Sequence, residues 1–209
     1  KNQTNILQLK KSLGQHFLKD ENITRKIVEA LQQDHFSRLL EVGPGAQGIC
    51  GMAHFKNKLI AVGTYAGAPK LYISTNYGNS FITYNLDALA SALVECYMMD
   101  ENTFIIGGMS TDSTGNKPLI LKTTDGGLTF VTVSTFNTVS GYIWKMYFRP
   151  DGAGLASVEN NFSDSSVNGY VLKTTNYGNS WQGYLVDTVK GNFGGVILLD
   201  NNVAFLGEQ

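Results

Sequence analysis

The chain of 209 residues is 43% hydrophobic and 16% charged, a globular composition that excludes an intrinsically disordered chain. Its 16 basic and 17 acidic residues give a formal net charge of −1, which excludes a global field that would recruit a polyanion. Glycine is frequent at 23 residues and proline rare at 4, as expected of many short strands joined by turns that need positive φ.

The basic residues are unevenly placed, with Lys1, Lys10, Lys11, Lys19, Arg25, Lys26 and Arg38 gathered in the first 40 positions. Such a leader fits an RNA contact or a solvated helix face and tail, and both readings stay open. Asp20-Glu21-Asn22 opens an amphipathic run with Ile23, Ile27, Val28 and Leu31 on one face, which predicts a helix over 22–33. Leu39-Leu40-Glu41-Val42 then reads as a strand entering the glycine loop Gly43-Pro44-Gly45, with Gly14-Gln15-His16-Phe17-Leu18 some 25 residues upstream. In this order the elements resemble the amino terminus of the ribosomal RNA adenine dimethyltransferases, which use S-adenosylmethionine to methylate a small-subunit rRNA hairpin. The resemblance covers residues 1–46. It implies that His16 and Leu18 help hold the methionine end of the cofactor, that Gly43 lets the backbone approach it, and that Glu41 closes the strand.

The Asn-Leu-Pro-aromatic motif with which that family grips its target adenine does not follow. The four prolines are Pro44, Pro69, Pro118 and Pro150; only Pro118 comes after an Asn-X pair, and Asn116-Lys117-Pro118-Leu119 has neither the leucine nor the aromatic of that motif. S-adenosylmethionine as cofactor and rRNA as partner are therefore expected only if the resemblance is functional, as in a truncated 16S rRNA adenine dimethyltransferase. Otherwise no cofactor and no metal are expected.

From about Ile49 the text changes. Short strands rich in β-branched and aromatic residues follow one another: Lys58–Gly63, Lys70–Ile73, Ile82–Tyr84, Val94–Met98, Thr103–Gly108, Leu119–Lys122 and Val131–Val133. Ile143–Tyr147, Gly154–Val158, Tyr170–Lys173, Gln182–Val186, Gly195–Leu199 and Val203–Gly207 continue the series. Turns bearing Asn57, Asn102, Gly152 and Asn202 recur at intervals of 45, 50 and 50 residues, and four strands per period describe one blade of a β-propeller.

Between the third and fourth strands of each period lies an octapeptide: Ser74-Thr75-Asn76-Tyr77-Gly78-Asn79-Ser80-Phe81, Thr123-Thr124-Asp125-Gly126-Gly127-Leu128-Thr129-Phe130 and Thr174-Thr175-Asn176-Tyr177-Gly178-Asn179-Ser180-Trp181. Gly78, Gly127 and Gly178 are 49 and 51 residues apart. A hydroxyl residue opens the turn, Asp or Asn at position three bonds its amides, glycine at position five takes the left-handed conformation, and the closing aromatic packs under the hairpin. The octapeptides resemble the Asp-box of sialidases, related glycosidases and photosystem assembly-factor propellers, a structural turn lying away from any active site. Asn76 and Asn176 depart from the Asp of that pattern, keeping the turn bond without the charge. A sialidase would also need three arginines, yet Arg149 stands alone from residue 47 onward and reads as part of the turn Arg149-Pro150-Asp151-Gly152.

The expected fold is therefore mainly all-β, a partial propeller of four-stranded antiparallel blades preceded by a short helical segment. The expected domains are a methyltransferase-like piece, 1–46, and propeller repeats, 48–209. Residues 48–86 form a first blade with no evident first strand, 90–135 and 140–186 form two more, and 192–209 begin a fourth. Closed propellers need at least about four blades, so the open sheet edges are expected to pair either with another chain, as in self-association, or with further sequence, the chain reading as a fragment of a longer array or as a partial propeller that assembles. The join near residue 47 reads either as fused reading frames or as a natural leader docked on the propeller edge.

The most economical function is a non-enzymatic binding or assembly scaffold with a protein or glycan on its surface and no catalytic residue. Tyr77 and Tyr177 at the turn tips read as incidental exposed tyrosines. Cys50 and Cys96 read as buried thiols. No apolar run marks a secretion signal or a membrane-crossing helix, so no membrane partner is expected. The amino-terminal resemblance implies the cytoplasm, and the propeller part is equally compatible with export.

Overall fold

The computed structural model describes residues 48–63, 67–112, 115–135, 140–159, 169–187 and 193–208. All of them belong to the unit Val42–Gln209. The helix expected over 22–33 and the strand Leu39–Val42 lie outside the described residues.

The described residues form strands and turns without helix. Sheet I comprises β1 (Gly51–Phe55), β2 (Lys58–Gly63), β3 (Lys70–Ser74) and β4 (Ile82–Asn85). Sheet II comprises β5 (Ala92–Met98), β6 (Phe104–Asp112), β7 (Gly115–Thr123) and β8 (Val131–Thr135). Sheet III comprises β9 (Tyr142–Phe148), β10 (Gly154–Glu159), β11 (Gly169–Thr174) and β12 (Gln182–Asp187), and sheet IV pairs β13 (Phe193–Leu198) with β14 (Ala204–Glu208). In each sheet the strands lie side by side in sequence order, every pair antiparallel.

Sheet I has a first strand that the sequence did not announce. Gly51-Met-Ala-His-Phe contains a glycine and an alanine, weak strand formers, yet it pairs with β2 from Gly51↔Val62 to Phe55↔Lys58. The glycine is there for its size. A Cβ on Gly51 would lie 2.8 Å from the Cα of Glu95 and from the carbonyl oxygen of Val94, so β1 and β5 meet backbone to backbone.

Hydrophobic strands on both faces tie the sheets together. Phe104, Ile105 and Ile106 are consecutive and each has 0% exposure. Because side chains alternate along a strand, Phe104 and Ile106 point toward sheet I, meeting Ile60, Val62, Leu71 and Ile73. Ile105 points the other way, toward Ile143, Ala156, Val158 and Leu172 of sheet III. The third interface joins Ala153 and Leu155 to Val196 and Leu198 of sheet IV. The first strands of successive sheets pack together, β1 on β5, β5 on β9 and β9 on β13, which stacks the sheets face to face as blades.

This arrangement predicts that Phe104→Ala costs about 3–5 kcal/mol. Val131→Ala, on an exposed outer strand, is expected to stay within about 0.5 kcal/mol. Equal urea midpoints for the two variants would contradict the packing described.

Candidate binding surface: the octapeptide rim and the inner strands

The three octapeptides connect β3 to β4, β7 to β8 and β11 to β12, and their hydrogen bonds superpose residue for residue. In the first, the Ser74 hydroxyl accepts from the amide of Gly78 at 2.9 Å and donates to Asn76 Oδ1 at 2.9 Å. In the second, Thr123 accepts from Gly127 at 3.0 Å and donates to Asp125 Oδ1 at 2.7 Å. In the third, Thr174 accepts from Gly178 at 3.0 Å and donates to Asn176 Oδ1 at 3.0 Å. The position-three oxygen then accepts the amide of Ser80, Thr129 or Ser180, each at 3.0 Å.

The exchange of Asp for Asn reverses one bond. Asn76 and Asn176 donate through Nδ2 to the hydroxyls of Ser80 and Ser180, at 2.9 and 2.8 Å. Asp125 has no proton to give, so the Thr129 hydroxyl donates to it instead. That hydroxyl, with the Thr129 amide, the Thr123 hydroxyl and the Leu128 amide, holds the Asp125 carboxyl well below the usual carboxylate range. Asp100, in the turn between β5 and β6, also titrates low. Burial opposes its ionisation but is outweighed by bonds from Asn102 and Thr103.

Positions four and five are both left-handed in every copy: Tyr77 and Gly78 at φ 58° and 78°, Gly126 and Gly127 at 79° and 99°, Tyr177 and Gly178 at 57° and 70°. The position-four amide donates to the neighbouring hairpin of the same blade, Tyr77 to Asn57 O at 3.0 Å, Gly126 to Asn102 O at 2.9 Å and Tyr177 to Gly152 O at 2.9 Å. One rim of the array is thus built of paired turns. The position-five glycines also serve the preceding blade. A Cβ on Gly127 would sit 2.7 Å from Ile73 Cδ1, and one on Gly178 would overlap Ile105 Cδ1.

Lysines latch each blade to the next along this rim. Lys58 Nζ donates to Glu101 O at 2.8 Å and Gly126 O at 2.9 Å, and Lys122 Nζ donates to Tyr177 O at 2.7 Å and Asn179 Oδ1 at 2.8 Å. Lys173 Nζ reaches Asn201 O at 2.6 Å. Burial pushes the amines of Lys58 and Lys122 below the ordinary lysine value, and carbonyl acceptors compensate for the water they lose.

The closing aromatics lie beneath the turns. Phe130 meets Phe104 edge-on at 5.9 Å, Trp181 meets Phe148 at 5.7 Å, and Phe81 is half-buried. Trp181 Nε1 is buried without a hydrogen-bond partner, a cost that phenylalanine at the same position avoids. The two tip tyrosines differ. Both are exposed, Tyr77 at 74% and Tyr177 at 48%, but Tyr177 also lies against Gly152, where a Cβ would come within 2.5 Å of its ring, and its hydroxyl donates to Pro150 O at 3.3 Å.

A second cluster lies on the inner strands. Lys145 Nζ of β9 pairs with Glu95 Oε2 of β5 at 2.8 Å, across blades II and III. Lys145 also lies 5.8 Å from the ring centroid of Trp144, which meets Tyr142 edge-on at 6.0 Å. Sequence reasoning missed this group, although its signal existed: the two ion-pair partners are 50 residues apart, one repeat period. Arg149 sits in its turn, with Nη2 paired to Asp151 Oδ2 at 2.6 Å.

Among the described residues no three His, Cys, Asp or Glu side chains converge as a metal site. Cys96 is a buried free thiol whose pKa burial pushes up; Cys50 is free but half-buried, which corrects the expectation of two buried thiols. His16, Leu18 and Gly43 lie outside the described residues.

The pattern of the family described as Ribosomal RNA adenine dimethylase matches residues 6–50. Ribosomal RNA small subunit methyltransferase A of Chlorobium phaeobacteroides (strain BS1) is 54% identical over 39 residues, covering 19% of this chain and 15% of that protein. The same enzyme of Chlorobium luteolum (strain DSM 273 / BCRC 81028 / 2530) is 56% identical over 39 residues, 19% of this chain and 14% of that protein. The chain thus spans about one-seventh of these curated relatives. In fold it is similar to YCF48 bound to D1 peptide, a β-propeller, with a TM-score of 0.50 and 16% identity over 76% of this chain and 45% of that one. A segment similar to the amino terminus of these methyltransferases and a propeller-like body therefore lie in one chain.

Gly178→Ala is expected to lose about 1–2 kcal/mol or more, since alanine is strained at this φ and its methyl group meets Ile105. A melting temperature equal to wild type would contradict that. The sign for Asp125 follows from its lowered pKa: its contribution is complete above the ordinary carboxylate pKa of about 4 and is lost as pH falls through the lower, folded value. Asp125→Asn, which the other two turns show to be compatible, should flatten the acid side of the stability profile. Thermal melts across that acid range for the two proteins compare the slopes.

Proposed function

We propose that residues 48–209 are an Asp-box β-propeller portion acting as a non-enzymatic binding scaffold for a protein segment, joined to a piece of an rRNA adenine dimethyltransferase. The observation that carries this reading is the internal use of the octapeptide polar groups. The hydroxyl and the Asp or Asn of each turn are committed to the turn's own amides and hydroxyls, so the rim serves the scaffold rather than a reaction. The inner-strand group of Tyr142, Trp144, Lys145 and Glu95 supplies the recognition surface, combining partly buried aromatic rings with both signs of charge. A peptide ligand is favoured over a glycan because the structure of similar fold is that of YCF48 bound to D1 peptide.

Peptide and glycan arrays probed with the whole chain test the reading. Peptides should be retained, and Trp144→Ala should weaken retention about tenfold or more with an unchanged melt. Glycan-only retention, or binding indifferent to Trp144→Ala, would sink it.

The match over residues 6–50 supports a second reading, a truncated S-adenosylmethionine-dependent methyltransferase in which His16, Leu18 and Gly43 touch the cofactor. Titration calorimetry with S-adenosylmethionine separates the two. No heat is expected, whereas micromolar binding abolished by Gly43→Val would favour the enzyme.

A further inference from the structure

The last residue of β10 is an acid buried at the junction of sheets III and IV. Glu159 is 4% exposed, and among the described residues no hydrogen bond or ion pair reaches its carboxylate. Lys58 and Lys122, buried to a similar degree, are each met by two oxygen acceptors. Glu95 is likewise met by the Lys145 amine and the amide of Cys96. A carboxylate kept from water without such partners is destabilising, and a cation brought to it would offset that cost.

The surroundings of Glu159 suit an ammonium group. Val158 and Ile143 are register partners and pack toward sheet II, so the next pair, Glu159 and Tyr142, turns to the opposite face. That face packs on sheet IV, where Leu155 meets Val196 and Leu198. Residues directly paired across two strands hold their Cβ atoms about 5 Å apart, which places the Tyr142 and Glu159 side chains alongside each other. Trp144 meets Tyr142 edge-on at 6.0 Å and already carries one cation near its ring, Lys145 Nζ at 5.8 Å from the centroid. That amine is committed to Glu95 at 2.8 Å.

Tyr142 and Trp144 are half-buried and Glu159 is buried, so an incoming group meets the rings first and the carboxylate last. A lysine side chain has the matching order, an apolar stem with its charge at the tip. A metal ion is a poorer fit, because among the described residues no three His, Cys, Asp or Glu side chains converge.

We propose that the junction of sheets III and IV takes a lysine side chain of the peptide ligand, its stem along Tyr142 and Trp144 and its ammonium paired with Glu159. The inference rests on the peptide-binding reading above and gives that ligand its sign of charge.

A peptide array in which every sequence is printed in three versions, with lysine, norleucine or glutamate at the centre, tests it when probed with the full chain. Lysine versions should bind wild type about tenfold or more tightly than their norleucine counterparts, and glutamate versions least. Glu159→Gln should abolish that preference. Without ligand, the variant should melt at or above the wild-type temperature, because a buried unpaired charge has been removed. Equal retention of lysine and norleucine versions, a lysine preference that survives Glu159→Gln, or a variant that melts below wild type would each overturn the inference while peptide binding itself still stood. An array on which no peptide is retained would overturn both.

Discussion

The structure depends on strands buried on both faces. An isolated four-stranded sheet from this chain would expose Phe104 and Ile106 on one side and Ile105 on the other, so no blade carries a core of its own. Stability is a property of interfaces between blades, and it is passed from neighbour to neighbour as in other repeat arrays. The rim turns are subordinate to that requirement. Gly127 and Gly178 leave room for an isoleucine of the preceding blade, and the lysine amines satisfy carbonyls that face it.

Much of this order was legible in the sequence because the octapeptide is a local device. Its hydroxyl, its Asp or Asn and its glycine satisfy one another within eight residues, so their spacing alone encodes the turn. The four-strand period followed from the same spacing. What was illegible depended on contacts between periods. β1 was hidden because Gly51 and Ala53 are weak strand formers, and only the approach of Glu95 explains the glycine. The roles of Lys58 and Lys122 were hidden for the same reason, since their acceptors lie 68 and 55 residues away. Tyr177 looked like an idle surface tyrosine until its ring was found against Gly152.

The two parts of the chain are similar to different proteins. The amino-terminal piece is recognisable by sequence, at 54% identity over 39 residues, whereas the propeller-like body is recognisable by shape, at 16% identity to YCF48. A blade constrains only alternation, turn chemistry and volume, which leaves its shape recognisable after its residues have diverged. A label transferred from sequence likeness would describe about a fifth of this molecule.

The latches aim at main-chain oxygen. Lys58 and Lys122 bond the carbonyl of the fourth turn residue, which is glycine in one copy and tyrosine in another, so that bond is indifferent to the identity of the fourth residue, although Lys122 adds a second bond to the Asn179 side chain. Such joints are portable: modules bearing a suitably placed amine can be shuffled, duplicated or grafted onto foreign neighbours without renegotiating the contact. Arrays assembled this way tolerate rapid divergence of their visible surface while preserving the order in which their parts lock.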